Sequence, residues 1–276
     1  MNQIAKTLRK MPEMLVTAGT VSGLFLAVLA TTSCQQAPLA QEAPVDRGDE
    51  KIASDRIKEG DGLYEARADM SKARVAVAAL RQAQLADYGN YEAAWKLSRA
   101  CFYVGDHTDS DAERDDMFRA GTEAGKAAVK LQPGKPEGHF WLGANYGGAA
   151  SHSTLASLSS VQDIRGEMEA VIKLDEGYQG ASAYLGLGRL YLQAPKVLGG
   201  DTGKAIDSLQ KGLKLSPNNS LMRYYLAEAY ADSNRDGEAK KELQALANST
   251  PDPAHMPEHQ DALAKAKKLE TKLRPS

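Results

Sequence analysis

Among these 276 residues, the stretch with the most obvious chemical reach is His255-Met256-Pro257-Glu258-His259, which has the H-x-x-E-H spacing of a zinc site. That chemistry needs both imidazoles on one face of one helix. Pro257 works against it, because proline is tolerated only in a helix's first turn and leaves His255 outside. Gly199-Gly200-Asp201-Thr202-Gly203-Lys204 resembles a phosphate-cradling loop, but Leu198 stands at its first glycine position and Ala205 replaces the hydroxyl that would hold magnesium. No strand precedes it, so it reads as the turn into a helix. Asp109-Ser110-Asp111-Ala112-Glu113 opens like a calcium loop, yet Arg114 occupies the required glycine and Ala120 the closing glutamate. Five histidines are scattered, and no serine, histidine and acid align into a triad. The sequence therefore predicts no enzyme, no metal and no cofactor.

What remains is a set of aromatics and arginines, and these need elements to hold them. The stretch Ala183-Tyr-Leu-Gly-Leu-Gly-Arg-Leu190, followed by Tyr191, has counterparts along the chain. Anchored on Leu187, equivalent leucines stand at Leu63, Leu97, Leu142 and Leu226, with gaps of 34, 45, 45 and 39 residues. Thirty-four is the period of one family of helix pairs, and insertions of 11, 11 and 5 residues account for the longer gaps. Small residues fall where the second helix of each pair must pack closely on the first, at Ala76, Gly121, Ala205 and Ala239, with Ile164 the exception in the third pair. Repeat ends read Ala-Asp-Tyr-Gly-Asn (86 to 90), Leu-Gln-Pro-Gly-Lys (131 to 135), Leu-Asp-Glu-Gly-Tyr (174 to 178) and Leu-Ser-Pro-Asn-Asn (215 to 219), and Pro133 and Pro217 stop one helix before the next. Plentiful alanine and leucine without alternating β-branched runs point to an all-α chain.

Over roughly residues 55 to 250 this pattern resembles the tetratricopeptide repeat family. The resemblance implies a helical-repeat solenoid of about five helix pairs. Residues 251–276 then form a polar capping helix and tail, the helix running from about Pro257 to Leu273. Two insertions carry their own expectations. Asp106 to Asp116 is acidic and leads into a helix, and Gly147 to about Gln162, rich in Ser, Ala and Gly, is expected to be a mobile loop.

Residues 1–33 combine a basic start (Lys6, Arg9, Lys10) with an apolar run from Met14 to Ala30 and small residues before Cys34, the pattern of a signal peptide. Ser33-Cys34 resembles the bacterial lipoprotein cleavage site, which implies lipidation of Cys34 as the mature N-terminus. Thr31 replaces the usual leucine, and Gln35 lacks the aspartate that retains lipoproteins at the inner membrane. Plain secretion, or an uncleaved N-terminal helix, are the alternatives. Residues 34–50 make a polar tether to an array spanning 51–250. The second cysteine, Cys101, reads as a small buried apolar residue. Net charge is −2, and −4 without residues 1–33 (31 basic against 35 acidic), with no basic stripe to recommend nucleic acid.

In the tetratricopeptide family the first helix of each pair lines the concave face. Position by position this gives Trp95, Arg99, Phe102, Tyr103, Phe140, Leu185, Arg189, Tyr224 and Glu228 as candidate groove residues, although Trp95, Phe140 and Tyr224 would serve equally as packing. Aromatics with arginines are the composition of recognition surfaces. One expectation is a scaffold holding a partner protein in the cell envelope. The other is a small-ligand accessory component. The motifs Trp-x-Leu-x-Arg-Ala (Trp95, Leu97, Arg99, Ala100) and His-Phe-Trp-Leu-Gly (139 to 143) resemble the T-component of TRAP transporters, lipid-anchored and associated with a solute-binding subunit. They also resemble, less closely, the repeat domain of regulators of microtubule dynamics.

Overall fold

The computed structural model describes residues 49–152, 154–250 and 256–273, and every regular element among them is helical. The helices come in pairs: α1 (Glu50–Glu65) with α2 (Met70–Ala86), α3 (Tyr91–His107) with α4 (Asp111–Leu131), α5 (Pro136–His152) with α6 (Thr154–Leu174), α7 (Tyr178–Gln193) with α8 (Thr202–Leu215), and α9 (Ser220–Asp232) with α10 (Asp236–Ala247), then α11 (Met256–Glu270). Each packs on its chain neighbour, and each odd helix also touches the next odd one, so the odd helices form one layer and the even helices the other. Polar caps set the starts: the side chains of Asp49, Asp69, Asn90, Ser110, Asp201 and Asn219 each accept a backbone N–H of the helix they open. Each such cap is worth about 1 kcal/mol.

Close approach within a pair depends on missing side chains. A Cβ on Gly188 would lie 2.5 Å from Leu209 Cγ, and one on Gly60 would lie 2.6 Å from Leu80 Cγ. The two glycines are therefore structural counterparts, which moves the anchor of the first repeat. Leu97, Leu142, Leu187 and Leu226 are buried, whereas Leu63, three residues past Gly60, is only half-buried near the end of α1. The 34-residue gap from Leu63 reflects a chance leucine, since burial in α1 falls on Ala53, Ile57 and Gly60. The small residues Ala76, Gly121, Ala205 and Ala239 are all buried at their helix crossings. In the third pair Ile164 is buried as well, and the space beside Gly143 is taken by the terminal methyl of Met168.

Both long insertions are helix rather than loop. Gly147 to Gln162 does not form the expected loop: it lies within α5 and α6, apart from residue 153, outside the described set. Gly148 lets α5 cross Phe118 closely, and Ser151 Oγ donates to the Gly147 carbonyl (2.9 Å). Between α3 and α4 only Thr108–Ser110 is non-helical, so the acidic residues 111–116 are the first turns of α4. The extra residues thus lengthen helices: α4 and α6 have 21 residues where α8 has 14. The five-residue insertion is a 3-10 turn, Lys196–Leu198, closed by Gly199 at φ 99°. α7 opens on a left-handed turn, with Gln179, Gly180 and Ala181 at φ 51°, 62° and 61°. Residues 1–48, and with them the signal segment, Cys34 and most of the tether, lie outside the described residues, as does His255.

Candidate functional site

The odd-helix layer gathers arginines onto aromatic rings. On α3, Arg99 lies with its guanidinium carbon 4.0 Å from the Tyr64 ring centroid and 5.0 Å from that of Trp95, and one terminal nitrogen donates to Asp61 Oδ1 at 3.2 Å. Flat cations over aromatic faces are attracted by the ring quadrupole, more strongly as water is excluded. Beside it the buried Lys96 ammonium donates to Asp61 Oδ2 (2.5 Å) and to Glu92. Asp61 therefore serves two cations, which leaves Arg99 under-satisfied: its Nε is buried without a hydrogen-bond partner. Arg67, just past α1, covers Tyr64 (4.8 Å) and Tyr103 (5.5 Å), and Tyr103 stacks on His107 at 4.1 Å. Burial raises the Tyr64 hydroxyl above its ordinary range while Arg99 and Arg67 pull it back, so it remains a neutral donor. From the far end of the array Glu258, in the first turn of α11, adds its charge to both Tyr64 and Tyr103.

Aromatics continue along the layer. Phe102 is 5.9 Å from Trp141, Trp141 is 4.9 Å from Phe140, and Phe140 is 5.4 Å from Tyr178 at the start of α7. One turn on from Trp141 the fully buried Asn145 donates through Nδ2 to the backbone carbonyls of Trp141 (2.8 Å) and Ser98 (3.0 Å). Ser98 Oγ in turn donates to the Gly121 carbonyl (2.8 Å), so one polar knot ties α3, α4 and α5. Towards the C-terminus Arg189 covers Tyr225 (5.2 Å), which Lys265 of α11 also approaches (5.8 Å).

The structure thus sorts the residues expected at a groove into three groups. Trp95, Arg99 and Tyr103 come together around Tyr64, half-buried. Phe102 and Phe140 join through Trp141. Arg189 belongs to the α7, α9 and α11 end, where Leu185 packs on the core and Tyr224, itself buried, donates to Glu228 (2.9 Å). Tyr224 is a core residue with its hydroxyl turned to the layer, so it offers little surface to a partner. Sequence reasoning passed over Asp61, Tyr64, Arg67, Trp141, Tyr178 and Tyr225. For the first three the available signal was the Gly60 spacing, which the Leu63 anchor displaced.

The motifs with borrowed chemistry take structural roles. Asp201 caps α8 by accepting from Lys204 N–H (3.1 Å), and Ser110 caps α4. His259 is buried with Nδ1 2.7 Å from Ser220 Oγ, docking α11 on α9. Among the described residues no three histidine, cysteine or acidic side chains converge to hold a metal. None of those residues' helices is long and apolar enough to cross a membrane. Of two shallow cavities, one of about 460 Å³ beside Glu50, Asp87 and Lys135 borders the arginine cluster through Glu92, and one of about 340 Å³ lies beside Leu243 and Leu273.

The family model described as TRAP transporter T-component matches residues 89–273. Among solved structures, a thermophilic tetratricopeptide repeat protein of Thermus thermophilus, TTC0263, is similar with a TM-score of 0.55 at 20% identity, covering 77% of this chain and 99% of its own. PilF of Pseudomonas aeruginosa is similar with a TM-score of 0.54 at 15% identity, covering 82% and 93%. At such identities the likeness establishes the tetratricopeptide fold alone. No curated protein matches the sequence.

Proposed function

The chain belongs to the TRAP transporter T-component family, and from that premise we propose that it is a non-enzymatic envelope adaptor whose odd-helix layer holds a partner protein, a solute-binding subunit. In this reading residues 1–33 are a lipoprotein signal and Cys34 carries the lipid. Residues 34–50 form the tether, 51–250 the array and 251–276 its cap. The observation that carries the proposal is Arg99, set between Tyr64 and Trp95 with only a long, shared contact to Asp61. A cation held flat and part-desolvated, with donors to spare, is what a hot spot for a carboxylate- or carbonyl-bearing partner segment requires. The cluster's charge favours a polar partner segment over a small apolar ligand.

Affinity capture from the source organism's envelope extract tests this, using residues 49–276 against the Arg67→Ala/Arg99→Ala variant. The expected result is a solute-binding subunit retained by the unaltered protein and lost from a variant of unchanged helicity and melting temperature. Equal capture by both would refute the cluster's role. Capture of a small molecule with no protein, identified by native mass spectrometry, would favour the accessory ligand-binding alternative.

A further inference from the structure

The turns that lead from each even helix to the next odd helix all lie along one edge of the array, and that edge is unusually apolar. Leu85, Leu131, Leu174 and Leu215 stand at or beside the last residues of α2, α4, α6 and α8, and Tyr88 follows in the first of these turns. All five are exposed, from 37% for Leu131 to 69% for Tyr88. Ile52 and Met256, in the first turns of α1 and α11, bring two more exposed apolar side chains to the same edge. Among the described residues the large exposed hydrophobics away from it are Val75 and Val197. Turns are ordinarily polar, so a row of this kind along one edge asks for a cover.

Side-chain type and chain path indicate which cover. Lys130, Lys173 and Lys214 precede three of the leucines, each exposed in the last turn of its helix. The edge carries acids as well, with Glu50, Asp175, Glu176 and Glu258 exposed; Asp87 and Asp175 accept from the N–H groups of Gly89 (2.9 Å) and Gly177 (3.0 Å), and Glu176 accepts from the Tyr184 hydroxyl (3.3 Å). Outward-facing lysine, leucine and tyrosine make the composition of a surface that rests in the headgroup region of a bilayer. The described chain also enters here, with Asp49 N–H donating to the Ala86 carbonyl (3.0 Å). Fourteen residues, 35 to 48, separate Asp49 from Cys34.

We propose that this leucine–lysine edge is a membrane-resting surface: the array stands edge-on against the bilayer that holds its N-terminus, with Leu131, Leu174 and Leu215 in the headgroup–acyl boundary. The proposal rests on the reading of Cys34 as a lipid anchor. A weak surface suffices once the anchor confines it, because the local concentration of membrane is then already high. With the edge down, the opposite edge bearing Val197 faces the aqueous compartment, and the Arg99 cluster opens sideways to partners.

The test uses the full chain purified with its anchor and floated on vesicles of phosphatidylethanolamine and phosphatidylglycerol. Single nitroxides replace Leu174 or Leu215 on the edge, or Val75 or Val197 away from it. Spin-relaxation accessibility to oxygen, which partitions into lipid, is compared with accessibility to a water-soluble nickel chelate. The expected result is an oxygen-to-nickel ratio severalfold higher at 174 and 215 than at 75 and 197. Equal ratios on a co-floating protein would overturn the membrane-resting edge while leaving the anchor intact. Immobilised edge labels without oxygen preference would assign the edge to a protein neighbour and also overturn it. A chain that fails to float would sink the anchor reading, and this proposal with it.

Discussion

Replacing Gly188 by alanine separates two opposed effects that structure alone can order. Alanine in a helix interior is favoured over glycine by about 1 kcal/mol. Against that, the new methyl would sit 2.5 and 2.6 Å from Leu209 Cγ and Cδ2, and Leu209 has no exposed surface through which to retreat. Overfilling a packed crossing costs about 1–3 kcal/mol, so the net expectation is a loss of about 1 kcal/mol. Gly166 in α6 supplies the control, because it is exposed and nothing lies within 4 Å of its would-be Cβ. The same substitution there should gain up to about 1 kcal/mol. For a chain of this size each kilocalorie moves the melting temperature by about 2–4 °C, so calorimetry on residues 49–276 should show shifts of opposite sign. A double-mutant cycle sharpens the test. Leu209→Ala alone costs about 2–5 kcal/mol, but in that background Gly188→Ala has room and should become stabilising. Equal upward shifts for Gly166→Ala and Gly188→Ala, or a Gly188→Ala effect indifferent to residue 209, would refute the close-crossing argument.

Asn145→Leu, similar in size but without donors, removes the buried cross-helix hydrogen bonds to Ser98 while the helical carbonyls keep their own partners, and should lower stability by about 1–2 kcal/mol, read as a fall in melting temperature. Glu113 accepts from Arg74 (2.6 Å) and from Thr108, which hold its carboxyl down to about 2 against an ordinary value of 4.5. Its contribution is therefore complete above about pH 4.5 and disappears as pH falls towards 2; solvent screening keeps it to about 1 kcal/mol or less. Melting temperatures of the unaltered chain and Glu113→Gln should differ at pH 6 and converge near pH 2. Burial pushes the Cys101 thiol up to about 12. At pH 8 it should resist alkylation in the folded chain and react fully in guanidinium, and rapid labelling of the native protein would contradict its burial.

Much of the fold was legible because repeats print the same packing demands several times. Leu97, Leu142, Leu187 and Leu226 are buried alike, and the small residues opposite them are spaced as the crossings require. The first repeat misled because Glu59 precedes its close-contact glycine where the fourth repeat has Leu187, so the nearest leucine, Leu63, took the anchor. The insertions misled for a different reason. Gly, Ser and Ala between 147 and 162 carry the composition of a loop, but in a long crossing over Phe118 small residues are what helices need. At the candidate site, Trp95 and Arg99 were visible from their phase along the helix. Tyr64 and Arg67 were not, since their role comes from a neighbouring repeat rather than from their own. The burial of Tyr224 was likewise undecidable from phase, because α11 is what covers that end of the layer.

Glu258 of α11 lies within electrostatic reach of Tyr64 on α1 and Tyr103 on α3. An ordinary row of repeats has two free ends, and a disturbance at one dies out within a neighbour or so. Here a charge carried by the last helix reaches rings on the first and third, so the two ends of the row are coupled through the field rather than through packing. Removing that charge with Glu258→Gln would therefore be felt at the arginine cluster, at the opposite end of the row.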